Sequence, residues 1–261
     1  MRQSSDKCLL CNVNEATQKN SHLIPKFFGQ ALYYGTNPRH SILISKNGYK
    51  KKVQDIVKED YLFCKSCEMG FSIYETYCSL RLSRFDNLKY HDKFQRITLN
   101  DFEYFESIDL DIRIFNLFVY SIVWRVSISE NLAFKAFSLN DFEKEKLRLV
   151  LLDFSKTNQE DLLNEINKFQ NIEMHYHVFV RPNKLLRPPN SMLSAASYND
   201  ILHQIHLVDY VLLYSTSYNS FTPRFKVLDN NRLSGRVKIG LIDKTKWINF
   251  NKDMFNEAMK E

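Results

Sequence analysis

Two Cys-x-x-Cys pairs, Cys8/Cys11 and Cys64/Cys67, are the residues of this chain best placed to do chemistry, and Ser21-His22-Leu23-Ile24-Pro25-Lys26 lies between them. Each pair turns two sulfurs toward one point, and two such pairs have the spacing of a tetrahedral four-thiolate zinc site. Four thiolates at about 2.3 Å leave no open coordination position, so such an ion holds the fold rather than catalysing. The pairs are farther apart than in a minimal zinc ribbon, which requires folded chain between them. Four unrelated buried cysteines seldom fall into two such pairs. Disulfides belong mainly to secreted proteins, which neither the composition nor Met1–Lys7 resembles.

The elements that must position these groups follow in order. Cys8-Leu9-Leu10-Cys11 forms a first knuckle. Ser21 to Ile24 is extended, because a residue before proline is driven from the helical region. Pro25 suits the first turn of a helix over Lys26–Tyr34. Lys46-Asn47-Gly48 predicts a hairpin turn between Ser41–Ser45 and Tyr49–Ile56. Glu68–Arg84 carries Phe71, Tyr74, Cys78 and Leu82 near helical spacing, with Cys78 a buried thiol outside the paired pattern. Knuckle, β-elements, second knuckle and helix come in the order of a treble-clef zinc finger. Residues 85–107 show no clean period. Ile108–Ser129 is apolar nearly all round and predicts a central helix with Trp124 buried and Arg125 paired. Asn140 caps one further helix, to about Phe154, and Asn158 or Thr157 caps another, to about Phe169. Strands are predicted over Met174–Val180, within Ile205–Ser215, at Phe225–Leu228 and over Arg236–Ile242, with a loop over Arg181–Asn190 and a short helix over Lys252–Lys260. The predicted class is α+β: an N-terminal treble-clef zinc finger over residues 1–85, then an α+β domain over 86–261 with a helical middle and a β-containing C-terminal part.

The 261 residues are 44% hydrophobic and 14% aromatic, enough for a sizeable core, and six glycines and six prolines give little material for a long flexible linker. The formal net charge of +6 is compatible with nucleic acid without requiring it. The most apolar run, Ile114–Val126, contains Asn116, Ser121 and Arg125 and is too short to span a bilayer. These features predict a soluble cytoplasmic protein, with no membrane partner.

The pattern Cys8-x-x-Cys11, Ser21-His22-Leu23-Ile24-Pro25, then Leu62-Phe63-Cys64-x-x-Cys67-Glu68 resembles the zinc-bearing members of the HNH (ββα-metal) nuclease superfamily, and within it a bacterial type reading SHIIPKF and CxxCE with Trp-Arg on a later helix, as in Val123-Trp124-Arg125. The resemblance spans roughly residues 1–85. It implies phosphodiester cleavage, a role in phage defence, His22 as general base, and a catalytic Mg2+ or Mn2+ distinct from the structural zinc. This chain departs from the family pattern at three places. Ser21 stands where the family has Asp, no Asn precedes the second pair (Asp60 is nearest), and Glu68 stands where the family has His. Glu68 offers a hard oxygen ligand in its place, and Glu75, on a similar helix face, a second. Glu68 is also favoured at a helix start by the macrodipole alone.

Lys26, Lys46, Lys50, Lys51, Lys52 and Arg81, with Arg39, Arg84 and the tyrosines Tyr33, Tyr34 and Tyr49, make a candidate nucleic-acid surface, for DNA more than RNA, or else a solvated hairpin edge. His175/His177 and His203/His206 have no evident carboxylate or cysteine partner and read as packed or surface pairs. Two functions follow: a metal-dependent nuclease, alone or with a protein partner in a defence complex, and a non-catalytic zinc module that binds nucleic acid or protein.

Overall fold

The computed structural model describes residues 2–29, 41–44, 50–53, 56–82, 93–99, 102–167, 175–183, 192–231, 235–249 and 252. Tyr33, Tyr34, Arg39, Lys46, Tyr49, Arg84, and most of the predicted terminal helix lie outside the described residues. The N-terminal part contains β1 (Ser21–His22), α1 (Lys26–Gly29), β2 (Ser41–Ile44), β3 (Lys50–Val53), β4 (Lys58–Glu59) and α2 (Lys65–Leu82). β2 and β3 pair antiparallel, as the Asn-Gly signal predicts, while β1 pairs with β4 through Ser21↔Glu59 and His22↔Lys58. Gly29 leaves room for Ile56: a Cβ there would stand 1.8 Å from Ile56 Cγ2.

The remainder runs β5 (Phe94–Leu99), β6 (Phe102–Ser107), α3 (Ile112–Ser127), α4 (Asp141–Asp153), α5 (Gln159–Glu165), β7 (Tyr176–Pro182), β8 (Met192–Ser197), β9 (Leu202–Val208), β10 (Val211–Ser215), α6 (Pro223–Val227) and β11 (Lys238–Ile242). Asp111, Asn140 and Asn158 cap α3, α4 and α5 by accepting from the backbone N–H of Arg113, Glu143 and Asp161. The strands form a seven-stranded sheet in the order β5-β6-β11-β7-β10-β9-β8, antiparallel except where β11 lies parallel to β7.

Both faces of this sheet are covered. Phe105, Phe179, Ile205, Leu212, Tyr214 and Ile239 face α3 in one core that continues into Cys8, Leu10, Phe63 and Phe71 near the N-terminus. Phe102, Val178, Val180, Val211 and Leu213 pack on the other side with Phe221, Leu228 and Trp247. Among the described residues no helix is long and apolar enough to cross a membrane.

Several elements differ from the sequence reading. The single apolar strand expected within Ile205–Ser215 is two strands. Leu207 and Tyr210 exchange backbone hydrogen bonds of 2.8 and 3.4 Å across a two-residue turn, and Val208 takes φ 69° there. A buried β-branched residue in the left-handed region costs roughly 1–2 kcal/mol, so sequence gives no warning of a turn at this point. Phe225–Leu228, expected to be extended, falls largely in α6, which Pro223 starts with its fixed φ. Arg181 and Pro182 end β7 rather than opening a loop. The β5–β6 hairpin and β8 fall where no strand was predicted.

α3 is buried around its whole circumference. Trp124, 2% exposed, lies against Phe63 and Phe71 with ring centroids 5.8 and 6.2 Å away. Trp124→Ala should therefore lower stability by about 3–5 kcal/mol, read from urea unfolding; a loss below about 1 kcal/mol would place the core elsewhere.

Candidate metal centre and adjoining polar cluster

The first knuckle closes locally. Cys8 donates its backbone N–H to Asn14 O at 2.8 Å, and the Asn12 N–H donates to Cys8 O at 2.9 Å with Asn12 at φ 56°, a conformation asparagine tolerates. Cys64 immediately precedes α2 and Cys67 lies in its first turn, so the helix start aims both sulfurs the same way. The four sulfurs all lie within 4.8 Å of one another, and Cys11 Sγ is 4.0 Å from Cys64 Sγ. A tetrahedron of about 2.3 Å bonds separates its sulfurs by about 3.8 Å. The donor set therefore fits a zinc-like ion held by Cys8, Cys11, Cys64 and Cys67. The Cys67 thiol hydrogen-bonds Cys8 and, against the cost of burial, draws the Cys8 pKa down to about 4, while Cys8 pushes Cys67 up. Four sulfurs this close ionise together only when a cation offsets their repulsion. Asn14 Nδ2 donates to Cys64 Sγ at 3.7 Å. Cys78, as expected, is buried in α2, and burial raises its pKa well above the usual thiol value.

Beside the sulfurs lies a cluster built from three elements. β1 supplies Ser21 and His22, α2 supplies Glu68 and Glu75, and α3 supplies Arg125. Arg125 Nη1 donates to His22 O at 2.7 Å and to Glu75 Oε1 at 2.6 Å, and Nε donates to Ser121 O at 3.0 Å. The guanidinium also sits 5.1 Å from the Phe71 ring centroid. Burial raises the Glu68 pKa above the usual carboxylate value, opposed by the charge of Arg125 and the hydroxyl of Ser21 and reinforced by Glu75. Ser21 Oγ and Glu68 Oε2 are buried without a hydrogen bond of regular geometry. His22 is half-buried. Thus β1 and the two α2 carboxylates meet at one guanidinium, and Glu75 is its ion-pair partner. Asp60 instead accepts the Asn20 N–H at 2.7 Å, a contact between the segments that lead into and out of the β1–β4 pair.

Lys26 is exposed on α1, and β3 carries Lys50, Lys51 and an exposed Lys52. Lys46 lies outside the described residues. Arg81 lies near the far end of α2, stacked 3.9 Å from the Tyr77 ring centroid and 3.5 Å from Asp109 Oδ2.

The four C-terminal histidines are packed into the sheet. His175 contacts the Tyr214 hydroxyl through Nδ1 and Glu143 through Nε2. His177 Nε2 meets Asn116 Oδ1 at 2.5 Å, His203 Nδ1 meets Ser197 Oγ at 2.7 Å, and His206 Nε2 meets Gln204 Nε2 at 2.5 Å. Burial is the first cause that lowers His175 to about 4, His177 to about 3 and His203 to about 4. These rings are neutral in the fold and take up protons near pH 6.5 when unfolded. Their contribution is thus present above about pH 6.5 and is lost as pH falls toward 4, with a slope of about 1.4 kcal/mol per pH unit for each ring. The urea midpoint should fall between pH 7.5 and 5, and His177→Gln should make that fall shallower; an unchanged pH slope in the variant would refute the neutral-ring assignment.

Purified protein should carry one zinc ion per chain, and Cys64→Ser should lose it and unfold at lower temperature, as read by elemental analysis and thermal melting. Well-folded wild-type protein free of metal would exclude the four-thiolate site. Comparison with known protein families, curated proteins and solved structures finds no match to this chain.

Proposed function

We propose that this chain is a zinc-stabilised nuclease of the HNH type that cleaves phosphodiester bonds in nucleic acid, DNA more than RNA, with residues 1–85 forming a treble-clef finger. The observation that carries this reading is the meeting of the His22 backbone carbonyl, Glu68 and Glu75 around Arg125, with Ser21 against Glu68, beside the four sulfurs. In it the cysteines hold the fold. His22, half-buried on a strand whose backbone Arg125 fixes at the His22 carbonyl, accepts the proton of the attacking water. Ser21 Oγ and Glu68 Oε2 are buried oxygens without regular partners, the donor chemistry a hard divalent cation takes. Mg2+ or Mn2+ held by Glu68 would supply positive charge for the leaving oxygen. Glu75 balances Arg125 rather than adding a ligand, so the carboxylate set is smaller than its spacing suggested. Lys26, Lys50, Lys51 and Lys52 supply charge for the phosphate backbone, and a thiolate centre suits a reducing, cytoplasmic setting in which a protein partner of a defence complex would act.

The second reading, a zinc module that binds nucleic acid or protein without cutting, is favoured by the burial of Glu68, which raises its pKa and so disfavours the charged form that a cation takes. One assay separates them. Wild type and His22→Ala are incubated with single- and double-stranded DNA and RNA, with Mg2+ or Mn2+ and with chelator. The nuclease reading expects metal-dependent cleavage by wild type and none by His22→Ala at equal zinc content. Absence of cleavage throughout, or equal cleavage by the variant, replaces it with the binding module.

A further inference from the structure

We propose that Arg148, aimed by Glu145, is a positioning residue that holds the first cysteine knuckle closed on its metal. The proposal rests on the four-cysteine metal reading and is independent of nuclease activity. Leu10 is the third residue of Cys8-Leu9-Leu10-Cys11, so its peptide is part of the loop that presents two of the sulfurs. Its carbonyl accepts a 2.6 Å hydrogen bond from Arg148 Nη1, on α4 and 138 positions away in sequence. The other edge of the guanidinium is already committed. Nε and Nη2 donate to Glu145 Oε2 and Oε1 at 2.7 and 2.6 Å, a bidentate pair on the same helix face. That pair leaves Nη1 as the edge facing the knuckle and removes most of the side chain's freedom.

The bond does two things. Mechanically, it stops the knuckle from opening away from Cys64 and Cys67, because Leu10 is itself fully buried and its neighbour Leu9 donates its N–H to Leu62 O at 2.9 Å. Electrostatically, Arg148 is close enough to Cys11 to sense its charge. A divalent ion with four thiolates is a centre of net charge −2, and a guanidinium at its edge opposes that excess. Residues that orient ligands in this way typically govern metal retention by about 10–100-fold. Arg148 thereby links α4, in the helical middle, to metal retention in the N-terminal finger.

The test uses full-length zinc-loaded protein and measures the rate of zinc transfer to a chromophoric chelator, alongside the thiolate-to-metal absorption of the cobalt-substituted protein. Arg148→Ala should release zinc at least about 10-fold faster and shift the cobalt bands. Arg148→Lys, which keeps the charge without the fork, should fall between. Glu145→Gln, which leaves Arg148 in place but weakens its aim, should also release zinc faster, and it serves as the deciding variant if Arg148→Ala does not fold. Wild-type release rates and unshifted cobalt bands in folded Arg148→Ala, or in Glu145→Gln in its place, would overturn the proposal while leaving the metal site standing. Wild-type protein that binds neither zinc nor cobalt would overturn both.

Discussion

A single buried guanidinium sets the constraint to which this structure answers. Arg125 is 1% exposed and sits on the most apolar helix of the chain. A charge in that position is tolerable only when its donors are used, and removing one partner of such a pair costs about 3–5 kcal/mol. The partners come from three segments: Ser121 one turn back on α3, Glu75 on α2 and the His22 carbonyl on β1. The ribbon of β1 and β4 is held again at the next turn, where Glu59 accepts the Asn131 N–H at 3.0 Å. The N-terminal elements are therefore seated against α3, and the sulfur centre is carried there by α2.

This dependence also explains the neighbourhood of Glu68. Its carboxyl shares the interior with Glu75, and one cation serves both. Glu75 takes the direct bond. Glu68 keeps an oxygen buried beside Ser21, and burial is the first cause that raises its pKa.

What the sequence made legible is local. The cysteine pairs, the Asn-Gly hairpin, the Asn140 and Asn158 caps and the unbroken apolar stretch around Trp124 each carry their signal within a few residues. What it hid is long-range or lacks a marker. Nothing near Glu75 says that its partner is 50 positions away, so it read as a metal ligand. Nothing at Val208 says turn, because neither glycine nor asparagine marks the left-handed position. The strands of a sheet buried on both faces lose the alternation that would identify them, and β8, with its small residues Ser194, Ala195 and Ala196, offers little pattern of any kind. The histidines were ambiguous for the same reason: a packed imidazole and a ligand differ only in their surroundings.

The place of β11 in the sheet has a consequence for the order of events during synthesis. β6 precedes the helical middle and β7 follows it, yet the two do not touch; β11, near the end of the described chain, lies between them and pairs with both. As the polypeptide leaves the ribosome, the β5–β6 hairpin emerges with one edge unpaired, and β7 emerges with the matching edge open. α3, apolar on every side, has no complete sheet to pack against until more than a hundred further residues have been made. During that interval the nascent chain presents two sticky strand edges and a greasy helix, the conditions under which chains associate wrongly or are taken up by chaperones. Of the described strands, the last to be translated is therefore the one that joins the two halves of the sheet and ends the period of greatest risk.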